Sequence, residues 1–475
     1  MISIIMPVYN TGDYVGEAVE SILHQSLSFK ENVTLYLLDD ASTDDSLAVC
    51  REYEKQYPAN IKVIHFDRNQ GVSAVRNYGI SLCRETAGDV VGFVDSDDRL
   101  EETALEKVDA FFKRHDGINM AVMEVHYFDA REGSHRLNWR FDEREVVEIL
   151  EDYTYPQYYI GGVFFRRSAL ELLQFDETMN FWEDAMAINQ VILDEGRYGL
   201  VKDAVYYYRK RADESSLVDR AWHDHERYIP FLEQGYVRLM DYCKKKRKKI
   251  LPYIQFVVAY HLRLFMIKSN TDVVHELMDE EELLVFRKKI KKILKKISTE
   301  VIVRIPTSLP VVEAMLSIRR GRKIRARRTY TRDDCIFSYR SYEFTRMSER
   351  RVRLTGLAEK PEEYKGMWKG IFDTPVFQMA ESDYIFAEKD GVRIHSIRRR
   401  CRRRFYVLGE RMRNYRYAGF YIAIPPEWKS ARFGIHTKGI DIRLNEVVFA
   451  EVAERIRMRK EEKNEETGEM DRGDF

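Results

Sequence analysis

Apolar runs alternate with stretches of helical periodicity over the first hundred residues of the chain. Four of these runs are long enough for a buried strand: ISIIMPV, VTLYLL, IKVIHF and VVGFV. Between the first two runs, apolar residues recur at helical spacing, at Val15, Val19, Ile22 and Leu23. Continuous apolar strands that alternate with helices are typical of a parallel sheet covered on both faces. The pattern therefore predicts an α/β domain.

The pattern changes twice further along the chain. Residues 218–328 have the spacing of helices and carry long Lys/Arg runs, which predicts a basic helical segment. Residues 329–450 contain aromatic and β-branched stretches broken by Gly, Pro and Asp, which predicts an all-β module. The charged residues 451–475 are predicted to be a disordered tail, so the α/β domain would cover residues 1–217.

Charge is unevenly distributed although the 475-residue chain has a formal net charge of zero. The first 200 residues carry a net charge of −19 and the remainder +19. A basic second part predicts an anionic partner. The five cysteines form no CxxC pair, which argues against a zinc ribbon or disulfide framework and favours a reducing compartment. The N-terminal stretch MISIIMPVYN is not typical of a signal peptide.

Polar residues follow each of the four predicted strands at the point where the strand ends. They are the stretch PVYN after the first strand, the pair Asp39-Asp40, Asn69, and the stretch Asp95-Ser96-Asp97-Asp98. Ligands of open α/β sheets bind at the carboxyl ends of the strands. We therefore expect these side chains to converge on one rim of the sheet.

The stretch DSDD has two readings. Its carboxylates could hold Mg²⁺ or Mn²⁺, because hard cations take oxygen ligands and are often held by one or two carboxylates plus substrate phosphates. Alternatively, these acids could cap a following helix whose first turn would be Glu101-Glu102, a role that suits Asp98. Three acids in four residues exceed what a cap requires, which favours the metal.

Four segments in order, ISIIMPVYN, LLDDASTDDS, NQGVSAVRNYG and FVDSDD, resemble the family 2 glycosyltransferases with the GT-A fold. The resemblance covers about Met1 to Leu217. It implies a Rossmann-like, mainly parallel sheet with flanking helices. It also implies an inverting transfer of a sugar from a UDP-sugar to a hydroxyl acceptor, with Mn²⁺ or Mg²⁺ as cofactor.

The resemblance further implies a donor site at the rim of the sheet. There Asp40 would hydrogen-bond the uracil ring, Asp95 would approach the ribose, and Asp97 would hold the metal together with Asp95. The residues implied to contact the nucleotide-sugar are Pro7, Tyr9, Asp39, Asp40, Asn69, Arg76, Asp95, Ser96 and Arg209. Arg209 is chosen from a closing loop that also contains Arg211 and Ser215.

The acceptor side rests on two further motifs. Glu183-Asp184 stands at the start of a predicted amphipathic helix, where an acidic pair is favourable for the helix dipole alone. The resemblance implies instead that Asp184 is the catalytic base and that Glu183 supports it. Gly161-Gly162 would let the backbone pass close to sugar, or it is an ordinary start of a strand.

The basic part of the chain has four Lys/Arg runs: KKKRKK, RKKIKKILKK, GRKIRARR and RRRCRRR. The second run places Ile290, Ile293, Leu294 and Ile297 on one face, which is typical of an interfacial amphipathic helix. The runs are either a solvated surface or a site for an anionic leaflet or a phosphate-containing polymer. The second reading predicts a cytoplasmic protein attached peripherally to the inner face of the plasma membrane.

The all-β module is expected to bind glycan or to form a homo-oligomer. The order of the parts is similar to that of wall teichoic acid glycosyltransferases, so the acceptor would be a cell-surface polymer or a lipid-linked glycan. A nucleic-acid-binding protein is disfavoured because no helix-turn-helix, zinc-finger or ribonucleoprotein motif is present. A nucleotidyltransferase and a non-catalytic glycan-binding scaffold stay open as alternatives.

Overall fold

The computed structural model of the chain describes residues 1–85, 88–211, 221–268 and 271–458. It has two compact units. The first consists of Met1–His261 with Asp272–Val301, and the second of Leu262–Thr271 with Ile302–Phe475. The predicted domain boundary at 217/218 and the loop residue Ser215 lie outside the described residues.

The first unit contains a ten-stranded sheet with helices on both sides of its first four strands. Its strands are β1 (Ile2–Val8), β2 (Val33–Asp39), β3 (Ile61–His65), β4 (Val90–Phe93), β5 (Arg99–Leu100), β6 (Met120–Asp129), β7 (Gly133–Ser134), β8 (Val146–Glu148), β9 (Val163–Arg166) and β10 (Arg197–Lys210). The helices between them are α1 (Gly12–Leu23), α2 (Phe29–Asn32), α3 (Ser46–Gln56), α4 (Val72–Glu85), α5 (Ala104–Arg114) and α6 (Glu183–Glu195).

The main path of the sheet runs in the order β3-β2-β1-β4-β9-β6-β10-β5. The first four strands are parallel, and β10 is parallel to β6, while β9 is antiparallel to both of its neighbours. Six of the seven residues of β1 are buried, as expected for a strand covered on both faces. The predicted α/β class and the mainly parallel sheet are thus confirmed.

The carboxyl ends of β1, β2 and β4 lie side by side because these strands are neighbours of the same direction. Asp39 is in register with Val8, and Phe93 with Ile5. The polar residues that follow these strands therefore converge on one rim, as the sequence predicts.

Helices dominate the segment that follows β10. They are Ile229–Phe231, Arg238–Arg247, Pro252–Lys268, Asp272–Leu277, Glu280–Lys296, Thr299–Val303 and Leu309–Arg320. The predicted helical segment is thus divided between the two units. No helix among the described residues is long and apolar enough to cross a membrane.

The apolar stripe of the helix Glu280–Lys296 does not form the membrane-facing surface that the sequence predicts. Ile290, Ile293, Leu294 and Ile297 are all buried in the protein. An interfacial helix would need this stripe free to enter a lipid surface. The stripe is a core face, and the side chains that remain available to an external partner include the exposed lysines around it and the exposed Leu284 and Val285.

The second unit is built from antiparallel strands, so the all-β prediction is confirmed. Its strands are β11 (Arg327–Tyr330), β12 (Cys335–Tyr339), β13 (Tyr342–Arg346), β14 (Val352–Leu357), β15 (Trp368–Phe372), β16 (Tyr384–Lys389), β17 (Val392–His395), β18 (Ile397–Arg399), β19 (Arg404–Val407), β20 (Glu410–Asn414), β21 (Gly419–Ile422), β22 (Ser430–Thr437) and β23 (Ile440–Val448). They form the sheets β11-β12-β13, β14-β15-β21-β18 and β17-β16-β22-β23 and the hairpin β19-β20.

A buried ion pair fixes that hairpin within the second unit. The Arg413 guanidinium of β20 donates to the Glu313 carboxylate of the helix Leu309–Arg320 at 2.9 Å, and both side chains are almost fully buried. Residues 449–458, after β23, are helical, whereas the sequence predicts a disordered tail from residue 451.

Close packing between β4 and β9 gives a test of the sheet. A Cβ added at Gly92 would lie 2.2 Å from the Phe164 ring, so Gly92→Ala forces two strands apart. We expect a loss of about 1–3 kcal/mol in unfolding free energy, measured by urea denaturation.

Gly16→Ala, on α1, is the control, since its Cβ would meet only the Tyr53 hydroxyl at 3.7 Å. It should stabilise the protein by about 0.5–1 kcal/mol; equal losses for both variants would contradict this packing.

Candidate active site

A single buried guanidinium joins carboxylates from two distant parts of the chain. Arg76, on α4, donates to Asp184 at 2.6 Å, to Asp95 at 3.1 Å and to Glu183 at 3.5 Å. The Arg76 side chain is only 5 % exposed. Asp95 follows β4, whereas Glu183 and Asp184 open α6. Arg76 therefore brings the DSDD stretch and the ED pair together at the rim of the sheet.

The first turn of α6 sets the position of Asp184. Trp182, which precedes the helix, has a left-handed backbone conformation with φ of 65°, so the chain turns sharply before Glu183. The second carboxylate oxygen of Asp184 accepts the Ile160 N–H at 3.3 Å. Its two oxygens are thus held from different sides, and the side chain is 22 % exposed.

The environment of Asp184 makes it a stronger base than an ordinary carboxylate. Burial raises the pKa of Asp184 to about 8, with Glu183 and Asp95 acting in the same direction and Arg76 opposing them. Burial by itself would lower the pKa of Arg76, but the three carboxylates raise it. A carboxylate with a raised pKa takes a proton more readily.

The DSDD stretch is fixed by Tyr206 of β10. The Tyr206 hydroxyl accepts the Asp95 N–H at 3.1 Å and donates to the Asp98 carboxylate at 2.6 Å. Asp98 also accepts the Arg209 N–H at 2.8 Å. Asp98 is followed by β5, and α5 begins only at Ala104. Asp98 therefore does not cap a helix, contrary to that reading of the sequence; it ties the DSDD turn to β10.

Asp97 is the acid of this stretch that faces a basic side chain from the far end of β10. Arg211 donates to the Asp97 carboxylate at 2.5 Å. Burial raises the pKa of Asp97, the Asp95 charge adds to this, and Arg211 opposes it. The Arg209 guanidinium instead donates to Glu17, to Asp129 and to the Asp97 carbonyl. Of the two arginines Arg209 and Arg211, it is therefore Arg211 whose guanidinium contacts the carboxylate of Asp97, a predicted metal ligand.

The donor set at the rim fits a divalent cation that is held partly by substrate. Asp95 and Asp97 are separated by Ser96, and their side chains are 33 % and 27 % exposed. Within the described ranges no three His, Cys, Asp or Glu residues are grouped as a complete metal site. Mg²⁺ and Mn²⁺ are commonly held by one or two carboxylates together with phosphate oxygens. Two carboxylates that face a diphosphate would meet this requirement.

The carboxylates at the end of β2 organise the neighbouring loops. Asp40 accepts the Gln70 and Gly71 N–H groups at 2.6 and 2.9 Å, and Asn69 donates to the Asp40 carbonyl at 3.3 Å. Asp39 accepts from His65 at 2.7 Å. Its other carboxylate oxygen is buried and has no hydrogen-bond partner among the residues that the structure describes.

The remaining predicted donor residues lie along the end of β1 and the DSDD turn. Tyr9 is 49 % exposed directly after Pro7 and Val8, which leaves its ring open to a planar group. Ser96 is buried and its hydroxyl accepts from Thr11 at 2.9 Å. The structure thus brings the predicted donor residues to one rim. The Arg209 guanidinium also lies there, since it donates to the Asp97 carbonyl, but its other hydrogen bonds go to Glu17 and Asp129.

Close packing requires glycine at two positions, 161 and 162, and the sequence did not reveal this requirement. A Cβ added at Gly161 or Gly162 would lie 2.7 or 2.9 Å from Tyr206, and Gly162 has φ of +72°. They precede β9. Within this structure, the close approach that the two glycines allow is to the Tyr206 side chain.

An aromatic cluster beside the ED pair was also missed. Trp182 stacks on His261 at a centroid distance of 5.5 Å and contacts the edges of Phe231 and Tyr236 at 5.8 and 5.2 Å. Tyr158 lies 6.4 Å from Trp182. The only signal in the sequence was the pair of aromatic residues before Glu183. Three partners come from a later helical stretch and Tyr158 from an earlier loop, so the cluster could be found only in three dimensions.

Comparison with known proteins agrees with this geometry. The sequence model of Glycosyl transferase family 2 matches residues 3–173. The chain is 35 % identical to the minor teichoic acid biosynthesis protein GgaA of Bacillus subtilis (strain 168), over 96 % of this chain and 99 % of that protein. It is 30 % identical to GgaB of the same organism, over 89 % of this chain and 46 % of that protein.

Among solved structures, the fold is similar to that of S. aureus TarS. The TM-score is 0.56 at 16 % sequence identity, over 93 % of this chain and 77 % of that chain. TarS 1-349 in complex with UDP-GlcNAc gives a TM-score of 0.51 at 18 % identity, over 72 % of this chain and 97 % of that chain. At this identity the likeness concerns the fold. Family model, full-length relative and fold together establish that the chain belongs to glycosyl transferase family 2 and is a glycosyltransferase.

Proposed function

We propose that the chain is an inverting, metal-dependent glycosyltransferase that moves a sugar from a UDP-sugar to a hydroxyl of a cell-surface polymer or lipid-linked glycan. The observation that carries this proposal is the cluster in which Arg76 holds Asp184 beside Asp95. A base and a candidate metal ligand are thereby fixed at the same rim. The name of GgaA, a teichoic acid biosynthesis protein, supports the polymer acceptor, and the UDP-GlcNAc complex of TarS supports a UDP-sugar.

Donor binding is assigned to the rim residues that follow β1, β2 and β4. The exposed Tyr9 ring would cover the base, and Asp40 would contact the uracil edge while it holds the loop of Gln70 and Gly71. Asp95 and Asp97 would hold Mn²⁺ or Mg²⁺ together with the diphosphate. When bound, the cation would neutralise the charge of the leaving diphosphate.

Charge balance at the rim supports a cation there. Among the residues that the structure describes, the carboxylates of Asp95, Asp97, Glu183 and Asp184 form ion pairs with two guanidinium groups, those of Arg76 and Arg211. The excess of negative charge would repel a diphosphate unless a cation lies between them.

Sugar transfer then needs one proton to leave the acceptor. The acceptor oxygen attacks the anomeric carbon, the bond from that carbon to the phosphate oxygen breaks, and UDP leaves with the electron pair. Asp184 takes the hydroxyl proton on Oδ2, since Oδ1 is held by Arg76 at 2.6 Å and Oδ2 only by the Ile160 N–H at 3.3 Å. Arg76 therefore orients the base, and attack opposite the leaving group inverts the anomeric centre.

Attachment to the inner face of the plasma membrane is the part of the proposal that rests on charge alone. The exposed lysines of the helix Glu280–Lys296, such as Lys288 and Lys292, could meet an anionic leaflet. Because the apolar stripe of this helix is buried, the attachment would be weak and sensitive to salt.

Asp184→Asn tests the base. The amide keeps the shape of the side chain but cannot accept the acceptor proton, so kcat should fall by about 10²–10⁴-fold. The affinity for UDP should be unchanged, because Asp184 acts on the acceptor. Steady-state kinetics and calorimetry with UDP and Mn²⁺ measure the two effects. If Asp184→Asn instead loses UDP affinity at unchanged kcat, the residue belongs to the donor site.

The pH dependence of kcat/KM tests the environment of the base. Asp184 acts when deprotonated, and its pKa is raised to about 8, so activity should be lost as the pH falls through 8 and should level off above it. Glu183→Gln removes a neighbouring charge that raises this pKa and should move the inflection to lower pH. A profile that is flat from pH 6 to 9, or an inflection unmoved by Glu183→Gln, would assign the proton transfer to another group.

Asp97→Asn and metal removal test the cation. Both EDTA and the substitution should abolish turnover and remove the effect of Mn²⁺ on UDP affinity, because one of two carboxylate ligands is lost. Asp89→Asn is the control: Asp89 is an exposed acid at the opposite end of the same strand, and it should keep full metal-dependent activity. Full activity in EDTA would exclude the metal role.

A further inference from the structure

The second unit carries five exposed arginines around the hairpin β19-β20. We call them the arginine face: Arg400, Arg402, Arg404, Arg411 and Arg416. Arg400 and Arg402 lie between β18 and β19, Arg404 opens β19, Arg411 lies in β20, and Arg416 follows it. Within the described ranges none of the five forms an ion pair with a carboxylate.

Three neighbouring arginines do form ion pairs with carboxylates. Arg403 donates to Asp373 at 2.8 Å, and Arg398 lies 3.8 Å from Glu381. Arg413 forms the buried pair with Glu313. Asp373, Glu381 and Glu313 are thus engaged by arginines outside the arginine face. The arginine face keeps its positive charge, which an anionic partner would neutralise.

Backbone pairing fixes the direction of the side chains. Tyr406 of β19 lies opposite Arg411 of β20, and Arg404 precedes Tyr406 by two residues. The register of the hairpin shifts beside Tyr406, and Arg413 is buried although it lies two residues from the exposed Arg411. Val407, next to Tyr406, is also buried. The hairpin thus has an inner side anchored to the unit and an outer side that presents two arginines and a tyrosine.

The connection before β19 is also held in place. The Cys401 N–H donates to the Arg416 carbonyl at 3.0 Å, and the Tyr415 N–H donates to the Arg403 carbonyl at 3.1 Å. Tyr417 lies between two guanidinium groups, with Arg398 at 5.2 Å and Arg416 at 5.4 Å from its ring. Arg402 and Arg416 therefore belong to a paired segment, and the arginine face is a formed surface.

We propose that the arginine face binds the phosphodiester groups of a polyol-phosphate chain, the polymer that carries the acceptor hydroxyl. The planar guanidinium matches phosphate geometry with two hydrogen bonds, and tyrosine rings beside it can cover the carbon backbone of a polyol. This inference rests on the proposed function, because it identifies the acceptor as an anionic polymer. The surface would keep the polymer on the enzyme between successive transfers.

A lipid surface fits this face less well. On the hairpin, Tyr406 is the one large apolar residue that is exposed within the described part of the chain, whereas the helix Glu280–Lys296 exposes Leu284 and Val285 beside its lysines. Apolar side chains strengthen the electrostatic binding of a basic surface to a bilayer. The lysine-rich helix Glu280–Lys296 is the alternative site for a leaflet. The two basic surfaces therefore predict different partners and can be separated by experiment.

The test is binding of poly(glycerol phosphate) chains to the full-length protein, without donor, at several salt concentrations. The variant replaces four of the five arginines: Arg402→Gln, Arg404→Gln, Arg411→Gln and Arg416→Gln. Polymer affinity should fall by at least about tenfold, and the dependence on salt should become shallower. Transfer to a short, uncharged acceptor and affinity for UDP should stay unchanged, because these residues lie outside the candidate active site.

The matched control removes the same charge elsewhere, by Lys288→Gln, Lys291→Gln, Lys292→Gln and Lys295→Gln. It should keep polymer affinity and lose affinity for phosphatidylglycerol vesicles. Equal polymer affinity of wild type and arginine variant would overturn the proposal, as would an arginine variant that loses vesicles but not polymer. If the fourfold variant unfolds, the pairs Arg402/Arg404 and Arg411/Arg416 are replaced separately, and each should weaken polymer binding.

The proposed function can fail independently of this inference. An enzyme without transfer activity whose polymer affinity still depends on the arginine face would keep the binding surface and reject the reaction. If the enzyme is active and the arginine variant leaves polymer affinity unchanged, the proposed reaction stands and the binding surface is rejected.

Discussion

One buried guanidinium is the constraint on which the candidate active site depends. Arg76 is almost fully buried among three carboxylates, and a charge in that position is tolerated only because it is paired. Its hydrogen bonds connect α4, the end of β4 and the start of α6. The contact between Asp184 and Arg76 is therefore also a structural one: if Asp184 moved away, the buried Arg76 charge would lose its nearest carboxylate partner.

A second link, through Tyr206, holds the other side of the same rim. Its hydroxyl joins Asp95 and Asp98, its ring requires glycine at 161 and 162, and it comes from β10 in the later part of the sheet. The turn that presents Asp97 is thus fixed by the strand that Arg211 directly follows. The DSDD turn and the two glycines before β9 both pack on Tyr206, so the spacing of the carboxylates follows from the fold.

Charge is used in three different ways along this chain. At the rim of the first unit, acidic residues are concentrated around the guanidinium groups of Arg76 and Arg211. In the helix Glu280–Lys296 an apolar stripe is buried and lysines remain outside. In the second unit, some arginines are neutralised by Asp373, Glu381 and Glu313, while those of the arginine face have no carboxylate partner in the part of the chain that the structure describes. A net charge of zero conceals all three arrangements.

The sequence by itself determined the α/β class, the positions of β1 to β4, the all-β second part and the convergence of polar residues on one rim, because these depend on local periodicity and strand order. Tertiary structure alone decided which side chains meet: that Arg76 holds Asp184, that Asp98 bonds Tyr206 rather than capping a helix, and that Arg209 is engaged by Glu17 and Asp129. It also decided that the stripe of Ile290 and Ile293 faces the core. Composition shows an amphipathic face but not what covers it, since the covering residues are distant in the chain.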